Sequence, residues 1–95
     1  MSIYSGPTFA TDRLALAIAM HATGRLRFLN CTLASQNKVN FVFADPDGKS
    51  SDHEFDFSSG SLTAPVTAVF ASQNFLRDQM TRTLQDRRTG HATNR

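Results

Sequence analysis

Residues 38–44 constrain the fold most, because their side chains alternate with a period of two. Val39, Phe41 and Phe43 alternate with Lys, Asn, Val and Ala, a pattern typical of a half-buried strand. Residues 25–33 begin with a similar alternation that changes phase at Phe28 and Leu29, which predicts a second strand with a β-bulge at these residues. A polar connector joins the two segments. We therefore predict an antiparallel hairpin.

The next segment has some features of a calcium-binding loop. If Gly48 is given the sixth position, acidic residues fall at the third, fifth and twelfth positions: Asp45, Asp47 and Glu54. The first position, however, falls on Phe43, which has no side-chain oxygen, and the flanking residues alternate as strands do. The Asp-Pro-Asp-Gly sequence also favours a turn, since proline presets φ and glycine tolerates a positive φ. We predict a turn between two strands and no metal site.

A third strand is predicted over residues 53–57, where two phenylalanines alternate with acidic residues. The charged side chains would keep this edge strand from pairing with other chains. Oxygen and nitrogen ligands for a divalent ion are also present here: Asp52, His53, Glu54 and Asp56. A solvated edge is the preferred interpretation.

Two helices complete the predicted fold. Thr11 is a suitable N-cap for a short apolar helix over residues 12–22, and Gly24 is a suitable end. Apolar residues recur at helical spacing after Pro65, which predicts a long amphipathic helix. Pro65 lies in its first turn, and the helix is predicted to end at Thr89-Gly90.

The predicted element order is helix, strand, strand, short strand and long helix. This order predicts a single α+β domain over residues 1–95, with an antiparallel three-stranded sheet packed by helices. Residues 1–10 form an entry arm, residues 11–89 the folded core and residues 90–95 a flexible tail.

The composition is that of an ordinary globular protein, with 95 residues of which 40% are hydrophobic and 19% charged. The single Cys31 excludes an internal disulfide and suits a reducing compartment. No stretch has the eighteen or more apolar residues of a membrane span. Residues 14–20 resemble a short signal-peptide core, but Asp12 at its edge and the lone preceding Arg13 argue against that function. We predict a cytoplasmic protein with no membrane partner.

Several short motifs resemble a small phage- and bacterium-associated family of domains of unknown function. They are an alanine-rich segment opened by Thr-Asp over residues 11–17, the Gly24-Arg25-Leu26 turn, and the strand Val-Asn-Phe-Val-Phe-Ala-Asp over residues 39–45. The Ser59-Gly60 turn and the helix from Pro65 extend the resemblance to about residues 10–85. The resemblance implies a regular fold but no activity, and it supplies no catalytic residues.

Enzymatic activity has little support in the sequence. There is no G-x-S-x-G motif, and the serines of residues 58–61 lie in a Gly-Ser loop without an adjacent base. His21 is interpreted as a partner of the helix dipole rather than a catalytic base. The glycines occur singly at turns, without a phosphate-binding loop. We predict no enzyme and no cofactor, and the sequence points to no known small-molecule partner.

Charge is distributed unevenly along the chain. Residues 45–56 contain five acids and one lysine, whereas residues 77–95 contain five arginines and two acids. The candidate contacts to nucleic acid are Arg25, Arg27, Arg82, Arg87 and Arg88. The candidate stacking platforms for bases are Phe28, Phe41 and Phe43. Because the net charge is only +2 and no nucleic-acid-binding motif is present, a weak nucleic-acid-binding accessory protein is the alternative function.

The leading prediction is an interaction protein that acts as a homo-oligomer, most simply a homodimer. The apolar first helix and the long last helix offer more apolar surface than a three-stranded sheet can cover, and such surplus commonly marks an interface. The candidate interface residues are Leu16, Met20, Leu76, Met80 and Leu84.

Overall fold

The computed structural model describes the backbone of residues 4–93 and the side chains of residues 4–85. The elements in chain order are β1 (Thr8–Thr11), α1 (Leu14–Thr23), β2 (Arg27–Leu33), β3 (Val39–Ala44), α2 (Ser50–Ser59) and α3 (Val66–Thr93). The three strands form one antiparallel sheet in the order β1-β3-β2. The predicted α+β class and the three-stranded antiparallel sheet are therefore confirmed.

Strand β3 lies at the centre of the sheet, as its alternation suggests. Val39, Phe41 and Phe43 are at most 4% exposed. The hairpin of β2 and β3 is confirmed, and so is the bulge, since the register shifts between Phe28 and Asn30. The extra residue of the bulge accounts for the change of phase in the sequence.

The third strand is β1 and not residues 53–57, so the prediction of an entry arm over residues 1–10 is wrong where Thr8–Thr11 is concerned. In this strand Thr8 pairs with Ala44 and Thr11 with Phe41. The segment has four residues and one large apolar side chain, too few to show a period. Its conformation comes from pairing with the free edge of β3, which is a long-range contact.

Residues 53–57 lie inside α2, so the predicted edge strand is wrong. The helix begins where the carboxylate of Asp45 accepts hydrogen bonds from the backbone N–H groups of Lys49 and Ser50, at 3.0 and 3.3 Å. Phe57 packs against the core and Phe55 is 70% exposed, so their spacing of two does not reflect a sheet.

The turn over residues 45–48 is confirmed. The backbone N–H of Gly48 donates to the carbonyl oxygen of Asp45 at 3.0 Å, and Gly48 has a φ of 66°. The turn joins β3 to a helix, however, and not to another strand.

Helix α1 begins at Leu14, two residues later than predicted. Thr11 is not the N-cap, because it ends β1; its hydroxyl accepts a hydrogen bond from the N–H of Arg13 at 3.1 Å. Gly24 ends the helix as predicted, with a φ of 71° and its N–H donated to the carbonyl of His21.

Helix α3 begins directly after Pro65, whose carbonyl accepts the N–H of Val69 at 3.0 Å. The helix has 28 residues and continues through Gly90 to Thr93, so the predicted end at Thr89-Gly90 is wrong. A single glycine costs a helix only about 1 kcal/mol relative to alanine, which is too little to end it.

Helices α1 and α3 pack on each other and on one face of the sheet, while α2 packs on α1. The buried core consists of Leu16, Ala17, Met20, Leu26, Val39, Phe41, Phe43 and Leu76. Most side chains on the other face of the sheet are small or polar, and of this set only Ala44 is buried, at 4% exposed: Thr8, Ala10, Arg27, Asn30, Thr32, Asn40, Val42 and Ala44.

Candidate functional site

Three aromatic rings meet where α1 ends and β2 begins. His21 lies in the last turn of α1, Phe28 in β2 and Phe75 in α3. The rings of His21 and Phe75 are stacked, with centroids 5.1 Å apart and an angle of 20° between their planes. The Phe28 ring meets the Phe75 ring edge-on at 5.4 Å. We call these three residues the aromatic cluster. Phe75 is 39% exposed, so the cluster reaches the surface.

A hydrogen bond to α3 fixes the ring of His21. Its Nδ1 lies 2.7 Å from the hydroxyl of Ser72, a residue that is 3% exposed. Burial lowers the pKa of His21 below its ordinary value of 6.5. The lowered pKa favours the neutral form. The interpretation of His21 as a partner of the helix dipole stays a prediction, since the imidazole does lie in the last turn of α1. It can still donate or accept one hydrogen bond through its other ring nitrogen.

Two adjoining clefts lie beside this cluster. The aromatic cleft has a volume of about 390 Å³ and is lined by His21, Gly24, Leu26, Arg27, Phe28 and Phe75. The arginine cleft has a volume of about 420 Å³ and is lined by Tyr4, Gly24, Arg25, Leu26, Arg27, Ala44 and Pro46. Since Gly24, Leu26 and Arg27 line both, the two clefts are neighbours on either side of the α1–β2 connection.

The predicted nucleic-acid contacts are only partly brought together. Arg25 and Arg27 line the arginine cleft, but Nη1 of Arg25 lies 2.8 Å from Oδ2 of Asp56, in an ion pair. Arg82 is on α3, ion-paired with Asp78 at 3.0 Å, and lines neither cleft. Among the residues with described side chains, Arg27 has no carboxylate within 4.0 Å; its guanidinium carbon lies 6.0 Å from the centre of the Tyr4 ring.

The side chains of Arg87 and Arg88 lie outside the described residues. Two of the three predicted stacking platforms are wrong, because Phe41 and Phe43 are at most 1% exposed and a base cannot reach them. The third, Phe28, is half-buried and lines the aromatic cleft.

Three of the five predicted interface residues are also wrong. Leu16, Met20 and Leu76 are at most 1% exposed within the single chain, so a second subunit cannot contact them. The reason is that α1 and α3 pack on each other as well as on the sheet. The apolar surface that the sequence analysis assigned to a dimer interface is therefore buried within the single chain. Met80 and Leu84 are half-buried and pack against the edge of this core.

Sequence reasoning missed the most exposed apolar residues of α3. Val66 is 66% exposed and Phe70 is 59% exposed. Successive spacings of four, seven and seven residues place Val66, Phe70, Arg77 and Leu84 along one side of the helix. We call this side, together with the neighbouring Met80, the α3 flank. The sequence did contain a signal for this exposed side. Val66 and Phe70 are one helical turn apart, and at helical spacing they point in a different direction from the buried Ser72 and Leu76.

The side chains of residues 52–56 that were weighed as metal ligands lie on α2. His53 has its Nδ1 3.3 Å from Nη1 of Arg25, and Asp56 is in the ion pair with the same arginine. Within the described part of the chain, no three His, Cys, Asp or Glu side chains come together in a way that could hold a metal ion.

Cys31 is half-buried in β2 on the core side of the sheet. Burial raises the pKa of its thiol, and a hydrogen bond with Thr83 opposes that shift only in part. A thiol with a raised pKa is a poor nucleophile at neutral pH, which agrees with a packing role.

Comparison with known proteins adds no functional information. No protein-family model matches the chain, and no match is found among curated proteins or solved structures. The resemblance to a phage-associated family therefore stays a prediction. Over the described residues, none of the helices combines the length and the apolar character needed to cross a membrane.

Proposed function

We propose that this protein is a non-enzymatic interaction module that forms a homodimer through the α3 flank. The observation that carries the proposal is the exposure of Val66 and Phe70, at 66% and 59%, on the same side of α3 as the half-buried Met80 and Leu84. Large apolar side chains that are grouped on one surface favour association, because their contact with water is lost on binding.

The flank is suited to contact with a second copy of itself. In an antiparallel pair of α3 helices with its twofold axis midway between Phe70 and Arg77, each Phe70 ring faces Arg77 of the partner subunit. The same arrangement brings Val66 close to Met80 of the partner subunit. A twofold interface repeats every contact, so the pair contains two cation–π contacts, each worth about 0.5–2 kcal/mol.

The size of the surface sets the expected affinity. In this pair the two helices overlap over residues 66–81, a length of about 24 Å and a width of about 10–12 Å, so each contributes roughly 240–290 Å². The two faces together give about 500–600 Å², which is below the usual size of a specific interface. The dimer should therefore be weak, with a dissociation constant in the micromolar range or above.

Other surfaces support association less well. The open face of the sheet has mostly small and polar side chains, with Val42 its one larger apolar residue in the register-paired set, and Phe55, though 70% exposed, lies on α2 with acidic neighbours. Nucleic-acid binding is also less well supported, since Arg25 and Arg82 are held in ion pairs. Neutralised arginines contribute little to the counterion release that drives such binding.

Sedimentation of two matched variants tests the proposal. Phe70→Glu places a charge in the α3 flank and should give monomers at concentrations where the wild type is partly dimeric. Phe55→Glu makes the same chemical change at a similarly exposed phenylalanine outside the flank, and should sediment as the wild type does. Equal behaviour of the two variants, or a wild type that stays monomeric at all concentrations, would contradict the proposal.

A further inference from the structure

We infer that the outer edge of β2 binds an extended peptide segment of another protein as an additional antiparallel strand, with apolar side chains on the face that α3 covers. β2 is an outer strand in the sheet order β1-β3-β2, so one of its edges has no neighbouring strand. The inference is independent of the dimer, because the residues that carry it, Cys31, Leu33 and Phe75, are not part of the α3 flank.

The hydrogen bonds of the hairpin show which backbone groups of β2 point outward. The N–H of Ala34 donates to the carbonyl oxygen of Lys38 at 2.9 Å, at the end of the β2–β3 pair. Successive residues of a strand direct their N–H and C=O groups to opposite sides. Thr32 therefore bonds to β3 as Ala34 does, whereas Cys31 and Leu33 direct these groups to the outer edge. Within the described part of the chain, none of the backbone hydrogen bonds outside the helices and strands involves Cys31 or Leu33.

The edge of β2 has little protection against a further strand. Residues 28–33 contain no charged residue and no proline, which are common ways to keep an edge strand from pairing. The bulge between Phe28 and Asn30 lies near the start of the strand, and the register of residues 30–33 is continuous. The other outer strand, β1, has only four residues and follows Pro7. The sheet can therefore be extended more readily at β2.

The surroundings of this edge favour apolar side chains on one face of the added strand. Helix α3 packs on β2 through the edge-on contact of Phe75 with Phe28, at 5.4 Å, and through the hydrogen bond of Cys31 with Thr83. An added strand lies about 5 Å from β2, beside this helix. Phe75 is 39% exposed, and Leu33, on the same face of β2 as Cys31, is 41% exposed. Apolar side chains of the peptide would remove both from water.

A single extended segment fits this edge better than a second copy of the chain does. Helix α3 packs more extensively on β2 than on β3. Pairing of two β2 strands would place two α3 helices on the same face of the joined sheet, over neighbouring strands about 5 Å apart, whereas packed helices need about 8–10 Å. A peptide strand brings no helix with it. The occupant is therefore an extended peptide with alternating apolar and polar side chains.

Titration with a synthetic peptide, followed by amide NMR of the full chain, tests the inference. The probe is acetylated and amidated Glu-Val-Thr-Val-Thr-Phe-Thr-Glu. We expect saturable shifts at Cys31 and Leu33, and slower hydrogen exchange of these two amides. When the valines and the phenylalanine lie on the face covered by α3, their N–H groups point to β2. N-methylation of the second valine should therefore weaken binding about fivefold or more, whereas N-methylation of the threonine between the valines should change it less than about twofold.

Variants of the protein locate the site. Leu33→Pro removes an outward N–H without touching the ladder to β3, and should weaken binding more than Leu33→Ala, which keeps that N–H. Phe75→Ala should also weaken binding, while Phe70→Glu should bind normally because it changes only the α3 flank. The two N-methylated peptides give the same test on the unaltered protein. The inference is overturned if the peptide gives no saturable shifts up to its solubility limit, or if both N-methylated peptides bind equally well. Shifts at Cys31 and Leu33 that depend on protein concentration without peptide would assign the edge to a second copy and also overturn it.

Discussion

Replacement of Asp45 by alanine should destabilise the protein more than its place in a turn would suggest. The side chain is 5% exposed, and its two oxygens accept hydrogen bonds from the N–H groups of Lys49 and Ser50, at 3.0 and 3.3 Å. Ser50 is the first residue of α2 and Lys49 directly precedes it, so no helical carbonyl can accept either N–H group. Loss of such a cap costs about 1–2 kcal/mol. For a domain of this size that corresponds to a melting temperature lower by about 5–15 °C.

Thermal unfolding followed by circular dichroism measures this effect. Asp47→Ala is the matched control, because Asp47 is in the same turn and is exposed, with no side-chain hydrogen bond in the described region. It should melt within about 2 °C of the wild type, as surface substitutions usually do. Equal melting temperatures for the two variants would refute the reasoning that Asp45 holds the start of α2.

Three further predictions concern the core and its ionisable groups. Because the pKa of His21 is lower in the folded protein than in the unfolded chain, the unfolding free energy should fall as the pH drops below about 6.5. Chemical denaturation at pH 7.5 and at pH 5.5 measures this fall, which should be smaller in His21→Gln than in the wild type. Cys31 should react with iodoacetamide at pH 8 more slowly than free cysteine, because burial raises the pKa of the thiol; an equal rate would show that it is accessible and ionised. Leu76→Ala should cost about 2–5 kcal/mol of stability in urea unfolding. It should leave the dissociation constant of the dimer unchanged, because Leu76 is 0% exposed in the single chain; a weaker dimer would place it at the interface.

The sequence predicted the parts of the fold that local patterns control. The alternation in β3, the phase change at the bulge and the glycine after α1 are each visible within a few residues, and all three are confirmed. Strand β1 was missed because its conformation depends on pairing with β3, about thirty residues later in the chain. Helix α2 was misread because Phe55 and Phe57 imitate an alternation, while the cap that starts the helix comes from Asp45, a residue assigned to the turn.

The candidate sites were harder to predict, because exposure depends on how the elements pack. An amphipathic pattern cannot show whether Leu76 faces the core of its own chain or a second subunit, and only the packing of α1 against α3 decides this. The aromatic cleft joins residues from α1, β2 and α3, so no local motif records it. Arg25 and Arg27 were predicted from the sequence as nucleic-acid contacts. The ion pair that holds Arg25 could not be predicted, because its partner Asp56 is 31 residues away in the sequence.

Contacts between subunits, measured by isotope-filtered NMR on a mixture of labelled and unlabelled protein, test the proposed dimer most directly. The two side chains of interest, Phe70 and Arg77, are seven residues apart on one helix, about 10 Å along its axis, and the isotope filter removes any contact between them within one subunit. The antiparallel α3 pair predicts intermolecular cross-peaks between the Phe70 ring and the side chain of Arg77, at concentrations where the mass exceeds that of the 10.5 kDa chain. Cross-peaks from the open face of the sheet instead, or none at any concentration, would contradict the account.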